Sequence, residues 1–209
     1  MSMCLTAFIK CKGQKIIRHR NSAILTGGTG DNVNVSDGIY ELSLNPPHNT
    51  KLWTQLPEPR CFHGCEIIDN QVIVAGGRTS THRAETKDTV YAYDLNNNEC
   101  KTLPQLPFAV ARMATVSYKD NIILIGGVNE KSQSLNSVVM YDVKTGKVKM
   151  LPWLNQKRAG STAVITGNVI IVMGGYDYET NTFLNSVEYL DLSSNVWKGL
   201  SPMTTKRGF

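Results

Sequence analysis

Arginines recur along the chain at nearly even intervals: Arg60, Arg112, Arg158 and Arg207. A guanidinium is a rigid fork of donors that grips carboxylates bidentately, so a regular set of forks suits an acidic ligand. The same forks can instead bond backbone carbonyls and brace loops, because a buried charge must be paired in any fold. Other spacings resemble chemistry less well. Cys61-x-His63-x-Cys65 offers three metal-binding types. Alternate residues of one extended strand converge poorly on a tetrahedral ion, and no fourth ligand is evident, so burial is the expected reading. Gly27-Gly28-Thr29-Gly30 lacks the lysine and the following helix of a phosphate loop. Asp94-x-Asn96-x-Asn98 starts like a calcium loop, but Glu99 stands where glycine is required, and the segment reads as a turn. The sequence holds no nucleophile elbow, no metal-binding histidine pair and no carboxylates at a telling spacing. The expectation is therefore no catalytic residue, no metal and no cofactor.

The elements that would position these side chains are marked by four glycine pairs, Gly27-Gly28, Gly76-Gly77, Gly126-Gly127 and Gly174-Gly175, spaced 49, 50 and 48 residues apart. Each closes a short apolar run, such as Ile122-Ile123-Leu124-Ile125. Runs of this length read as strands buried on both faces, and the glycines permit a sharp turn or close approach. Downstream come Tyr40-Glu41, Tyr93-Asp94, Tyr141-Asp142 and Leu190-Asp191, each leading into turn-forming residues. A bulky position follows: Cys100, Val148 and Trp197, with Trp53 in the first unit, delayed by Asn45-Pro46-Pro47-His48. Leucine-proline signals close each unit at Leu56-Pro57, Leu106-Pro107, Leu151-Pro152 and Leu200-Ser201-Pro202. Each unit thus offers about four strands, and a fixed period near this length means a repeat architecture. Four-stranded sheets arranged radially are propeller blades. Thinner packing is expected where Cys100 and Val148 replace tryptophan.

The ordered set of arginine, apolar run, glycine pair, tyrosine-aspartate, tryptophan and leucine-proline resembles the kelch repeat. It covers the chain from about Asn21 to the C-terminus. The fold expected is all-β, a kelch-type β-propeller with about four blades present. Units lie near 21–59, 60–111, 112–157 and 158–206, a fifth begins at 207–209, and 1–20 reads as a leader or irregular first strand. The resemblance is greatest to the propellers of BTB-kelch adaptors of cullin-3 ubiquitin ligases, and it implies a non-enzymatic protein-interaction role of substrate-recognition type. A cullin-3 complex would require BTB sequence upstream. The alternatives are an actin-binding or scaffolding kelch protein and a kelch-fold enzyme such as a sugar mutarotase. In the adaptor family the opening arginines and the residue after each glycine pair line a peptide pocket. Carried over, these are Arg60, Arg112 and Arg158 with Arg78, Val128 and Tyr176, and an acidic protein or peptide ligand is expected. Val128 departs from the polar residues usual there.

The bulk properties agree with a soluble globular chain: 209 residues, 41% hydrophobic, 19% charged, net charge +5. Charge forms no like-signed block, so nothing points to nucleic acid, and no run reaches membrane-spanning length. Five cysteines without a secretion signal read as reduced thiols in a cytoplasmic protein, where the sequon Asn34-Val35-Ser36 would be idle. The resemblance implies six blades, whereas 209 residues hold four units and a remainder. The chain therefore reads as an incomplete ring: a fragment, a truncated gene model or a subunit completed by another chain.

Overall fold

The computed structural model describes residues 12–30, 34–81 and 85–208. Residues 1–11 of the expected leader, and Phe209 at the start of the expected fifth unit, lie outside them. Four antiparallel four-stranded sheets follow one another along the chain, with no α-helix among the described residues. Blade 1 is β1 (Lys15–His19), β2 (Ser22–Thr26), β3 (Gly38–Ser43) and β4 (Thr50–Gln55). Blade 2 is β5 (Gly64–Ile68), β6 (Gln71–Ala75), β7 (Val90–Asp94) and β8 (Cys100–Leu103). Blade 3 is β9 (Ala114–Tyr118), β10 (Asn121–Ile125), β11 (Val138–Asp142) and β12 (Val148–Leu151). Blade 4 is β13 (Thr162–Thr166), β14 (Val169–Met173), β17 (Val187–Asp191) and β18 (Val196–Leu200). The ribbon β15 (Tyr176–Asp177) with β16 (Thr182–Phe183) sits in its long loop. Sequence reading allowed at most an irregular strand before Arg20. Lys15–His19 is instead a full opening strand, registered from Lys15 opposite Thr26 to His19 opposite Ser22. Only Ile16 and Ile17 are apolar in it, flanked by Lys15 and Arg18, which hid it from a search for apolar runs.

The apolar runs are the second strands, and a glycine pair ends each one. Both glycines have positive φ, for example Gly76 at 61° and Gly77 at 89°. A side chain on Gly76 would collide with the Val110 carbonyl, and one on Gly126 with the Arg158 carbonyl. The pair is a socket for that carbonyl, which accepts from the second glycine's N–H at 2.8 Å in both cases. Neighbouring blades bury three apolar clusters between them. Ile24, Val72, Val74 and Tyr93 meet at the first junction, Ile73, Ile122 and Tyr141 at the second, and Ile123, Ile170 and Trp197 at the third. Tyr141 Oη donates to the Pro104 carbonyl and Trp197 Nε1 to the Pro152 carbonyl, both at 2.8 Å, so each large ring also has its polar atom paired. The equivalent Val148 is exposed and Cys100 half-buried, which is the thinner packing expected. Trp53 is not the counterpart of Trp197. A bulge between Ile39 and Tyr40 sets Leu52 opposite Tyr40 and turns Trp53 toward blade 2, where its ring lies 6.3 Å from that of Tyr93.

Candidate functional site

The first strands β1, β5, β9 and β13 stand side by side around a channel. It is a polar cavity of about 330 Å³ lined by Lys15, Arg18, Glu66, Thr115 and Thr162. Glu66 accepts from Thr115 Oγ1 at 2.8 Å. Burial raises the Glu66 pKa, against the pull of this hydrogen bond, and burial lowers that of Lys15.

Just before each inner strand lies one residue with positive φ: Gly13, Phe62, Arg112 and Gly160, at 57–67°. They are joined blade to blade around the channel mouth. Phe62 N–H donates to the Gly13 carbonyl at 2.8 Å, Arg112 N–H to that of Phe62 at 2.8 Å, and Gly160 N–H to that of Arg112 at 2.7 Å. Phe62 and Arg112 hold a conformation that side chains disfavour, and backbone of this kind concentrates at functional sites. The Arg112 guanidinium lies over the Phe62 ring, 4.2 Å from its centroid. Arg112, Phe62, Gln14, Lys15 and Ser161 line an open hollow of about 210 Å³ at this mouth.

The sequence-expected pocket residues do not share one surface. Arg60 and Arg158 are fully buried. Arg60 bonds Glu58, Thr89 and Tyr91, and Arg158 bonds the Gly174 and Ser186 carbonyls, Ser186 Oγ and Glu188. Each guanidinium turns into the junction it opens, and Arg60 Nε and Nη1 and Arg158 Nε have no hydrogen-bond partner among the described residues. Arg78 is 3% exposed with Nε donating to Thr86 Oγ1 at 3.3 Å, and Val128 is buried with Ala111 and Ala159. Neither presents its side chain at the surface. Tyr176 is half-buried, its ring edge-on to Tyr178 and Phe183 at 4.8 and 4.9 Å.

Arg112 is the exception, and for a reason of register. The residues whose carbonyls enter the glycine sockets are Arg60, Val110, Arg158 and Arg207. Arg112 lies two residues past the third repeat's true opening residue, at the mouth position shared with Phe62 and Gly160. A sequence signal existed. Each opening residue falls four after a residue whose N–H ties back to the preceding long loop, namely Leu56, Leu106, Leu154 and Met203. Lys15, Phe62 and Gln14 were missed because nothing in their local pattern distinguishes them from strand and linker residues.

Phe62 also breaks the alternation assumed for Cys61-x-His63-x-Cys65. Cys61 Sγ faces the Ser80 carbonyl at 3.6 Å, while His63 Nε2 lies 2.7 Å from Thr26 Oγ1, whose hydroxyl also donates to Cys65 Sγ at 3.5 Å. Burial pushes the Cys61 thiol up to about 11 and the Cys65 thiol up to about 12, so both are unreactive.

Comparison with known proteins matches the Kelch motif at residues 59–107, 109–152 and 157–204. The first blade lies outside these matches although its strand order is the same. Kelch-like protein 40a of Danio rerio is 29% identical over 124 residues, 57% of this chain and 20% of that protein. Kelch-like protein 40 of Mus musculus is 28% identical over 127 residues, 59% and 20% respectively. Kelch repeat and BTB domain-containing protein 2 of Cowpox virus (strain GRI-90 / Grishak) is 26% identical over 110 residues, 51% and 18%. The matched region thus spans about a fifth of each relative. Among solved structures, that of YjhT superposes with a TM-score of 0.80 at 17% identity, covering 95% of this chain and 68% of that one. That coverage is consistent with an incomplete propeller.

Proposed function

The chain belongs to the kelch-motif family, and from that premise we propose that it is a non-enzymatic protein-interaction propeller that grips an acidic, extended peptide at the channel mouth. The observation that carries this reading is the open hollow in which Arg112, stacked on Phe62, faces the same space as Lys15. A cation held over an aromatic ring in a recess suits a carboxylate flanked by apolar side chains. The test is fluorescence anisotropy with acidic and charge-neutral peptide pools, then with Arg112→Ala and Lys15→Ala. Hydrogen bonds to charged groups are worth about 1.5–3 kcal/mol, so each substitution should weaken binding by about 10-fold to 150-fold. Unchanged affinity in both variants would remove the mouth from the interface.

The wider role proposed is substrate recognition of ubiquitin-ligase adaptor type, supported by the Kelch-like relatives and by the viral relative named for a BTB domain. That role needs a BTB region working with the propeller. BTB sequence upstream in the transcript, against co-sedimentation with filaments, separates it from an actin-binding or scaffolding protein. A second reading, a kelch-fold enzyme acting on a sugar, is favoured by one observation. Burial moves Lys15 and Glu66, on neighbouring channel strands, each toward its neutral form. Anomer exchange followed by NMR, present in the wild type and lost in Glu66→Gln, would carry that reading.

A further inference from the structure

Because the blades share one register, each junction can be compared position by position with the others. At the turn end of the inner strands, away from the mouth, His19 stands opposite Ser22 as Ile68 does Gln71 and Tyr118 does Asn121. Glu41 stands opposite Ile24 as Ala92 does Ile73 and Met140 does Ile123. The following blade contributes Leu95, Val143 or Leu192, each fixed by its N–H donating to the carbonyl of Asn70, Asp120 or Asn168. At the second junction Ile68, Ala92 and Val143 are buried in one apolar cluster. At the third, Tyr118, Met140 and Leu192 pack against the apolar cluster there. Both junctions are closed at this end by apolar side chains.

The first junction is not. His19 and Glu41 stand where the other blades carry apolar residues, and a cavity of about 170 Å³ opens beside them. One wall is the half-buried ring of Trp53, turned here by the bulge between Ile39 and Tyr40. Bulges are over-represented beside active sites, where they re-aim a side chain. The polar groups of the lining are donors and acceptors together. Glu41 Oε1 accepts from Ser22 Oγ at 2.6 Å, which orients the carboxylate and leaves Oε2 as an acceptor. Asn70 Nδ2 donates to Asn96 Oδ1 at 2.8 Å, which leaves Asn70 Oδ1 an acceptor and Asn96 Nδ2 a donor among the described residues. Arg20, on the rim, offsets the charge of Glu41, so the pocket favours an ion of neither sign.

We propose that this pocket binds a neutral, polyhydroxylated ring the size of a monosaccharide, with the C–H face of the ring on Trp53 and its hydroxyls on Glu41, Asn70 and Asn96. A hydroxyl donates and accepts, which a mixed lining requires. The indole supplies a rigid apolar body for the C–H face. The volume lies below the roughly 300–1,000 Å³ of drug-sized sites, so the pocket admits one ring and not a chain of them. It shares no lining residue with the channel or the mouth hollow, so it stands independently of both readings given above.

The test uses the three tryptophans of the chain, whose indole N–H signals are resolved by NMR of an isotope-labelled sample. Trp53→Phe identifies the Trp53 signal. Glucose, galactose, mannose and N-acetylglucosamine are titrated separately. At least one should shift the Trp53 signal and leave those of Trp153 and Trp197 in place. Glu41→Ala should weaken that binding by about tenfold or more, the loss of a hydrogen bond to a charged group. His19→Ile combined with Glu41→Ala copies the closure by Ile68 and Ala92, and should abolish the shift. No shift from any of the sugars, or unchanged affinity in Glu41→Ala, would overturn the proposal. A shift lost in Glu66→Gln but kept in Glu41→Ala would place the sugar in the channel instead. A larger shift with N-acetylarginine amide than with any sugar would make a partner's cationic side chain the occupant and equally overturn it.

Discussion

Replacing Arg158 by valine removes the centre of the third junction. Glu188 would keep one hydrogen bond, from the Asn155 N–H at 2.8 Å to Oε2, and lose the guanidinium that neutralises it. Both side chains are at most 5% exposed, so the carboxylate would be left charged in a dry interior. Breaking a buried pair from one side costs about 3–5 kcal/mol, a large part of the roughly 5–15 kcal/mol that holds a domain folded. Glu188→Val strands the arginine and should cost nearly as much, softened by its bonds to the Gly174 and Ser186 carbonyls. The pair itself is not efficient, because Arg158 Nε is buried without a partner among the described residues. Valine at both positions would copy the second junction, where Val110 and Val139 share one buried apolar cluster at the equivalent register, and should lie within about 1–2 kcal/mol of the wild type, since well-packed apolar replacements of buried pairs are near neutral. Urea denaturation followed by tryptophan fluorescence measures all four corners of the cycle. If the two single costs simply add in the double variant, Arg158 and Glu188 are not coupled and this account of the junction is wrong.

Trp197→Ala should cost about 3–5 kcal/mol, the range for emptying a large aromatic site, while Val148→Ala at the equivalent exposed position should stay within about 0.5 kcal/mol. Thermal melts of the two variants check this. The fold should also weaken in acid through His63. Burial is the main cause that lowers its pKa to about 3, helped by Lys15 and Arg60 nearby. The unfolded chain takes up that proton below about pH 6.5 and the native one does not. Stability is therefore lost as pH falls from about 6.5 toward about 3, by roughly 2–3 kcal/mol at pH 4.5. His63→Gln should flatten that part of a pH–stability curve, and an unchanged slope would place the acid sensitivity elsewhere.

Parts of the site were legible in sequence only as types. Arginines of a repeat announce a charge that must be paired, but not whether a ligand or the next blade pairs it. Arg60 and Arg158 turn toward the blades because Tyr91 on β7 and Glu188 on β17 stand within reach. Arg112 sits beside the mouth because the third repeat opens with Val110, two residues earlier than the nearest arginine suggests. Lys15 and Phe62 carry no sequence mark, since the hollow they line is made by four separate strand entrances brought together around an axis.

The sequence by itself determined the repeat, the blade count near four, the buried second strands and the glycine pairs that end them. These follow from local patterns: apolar runs too short for helices and glycines where only positive φ serves. Only the tertiary structure decided the rest. It showed a complete first blade with Lys15–His19 as its inner strand, turned Trp53 away from its expected face through one bulge, and set which opening residue enters which socket. Each of these depends on register between separate segments, about ten residues apart for the strand pairs and about thirty for the sockets. A shift of one or two positions there reverses a side chain's face without changing the composition or periodicity that a sequence displays.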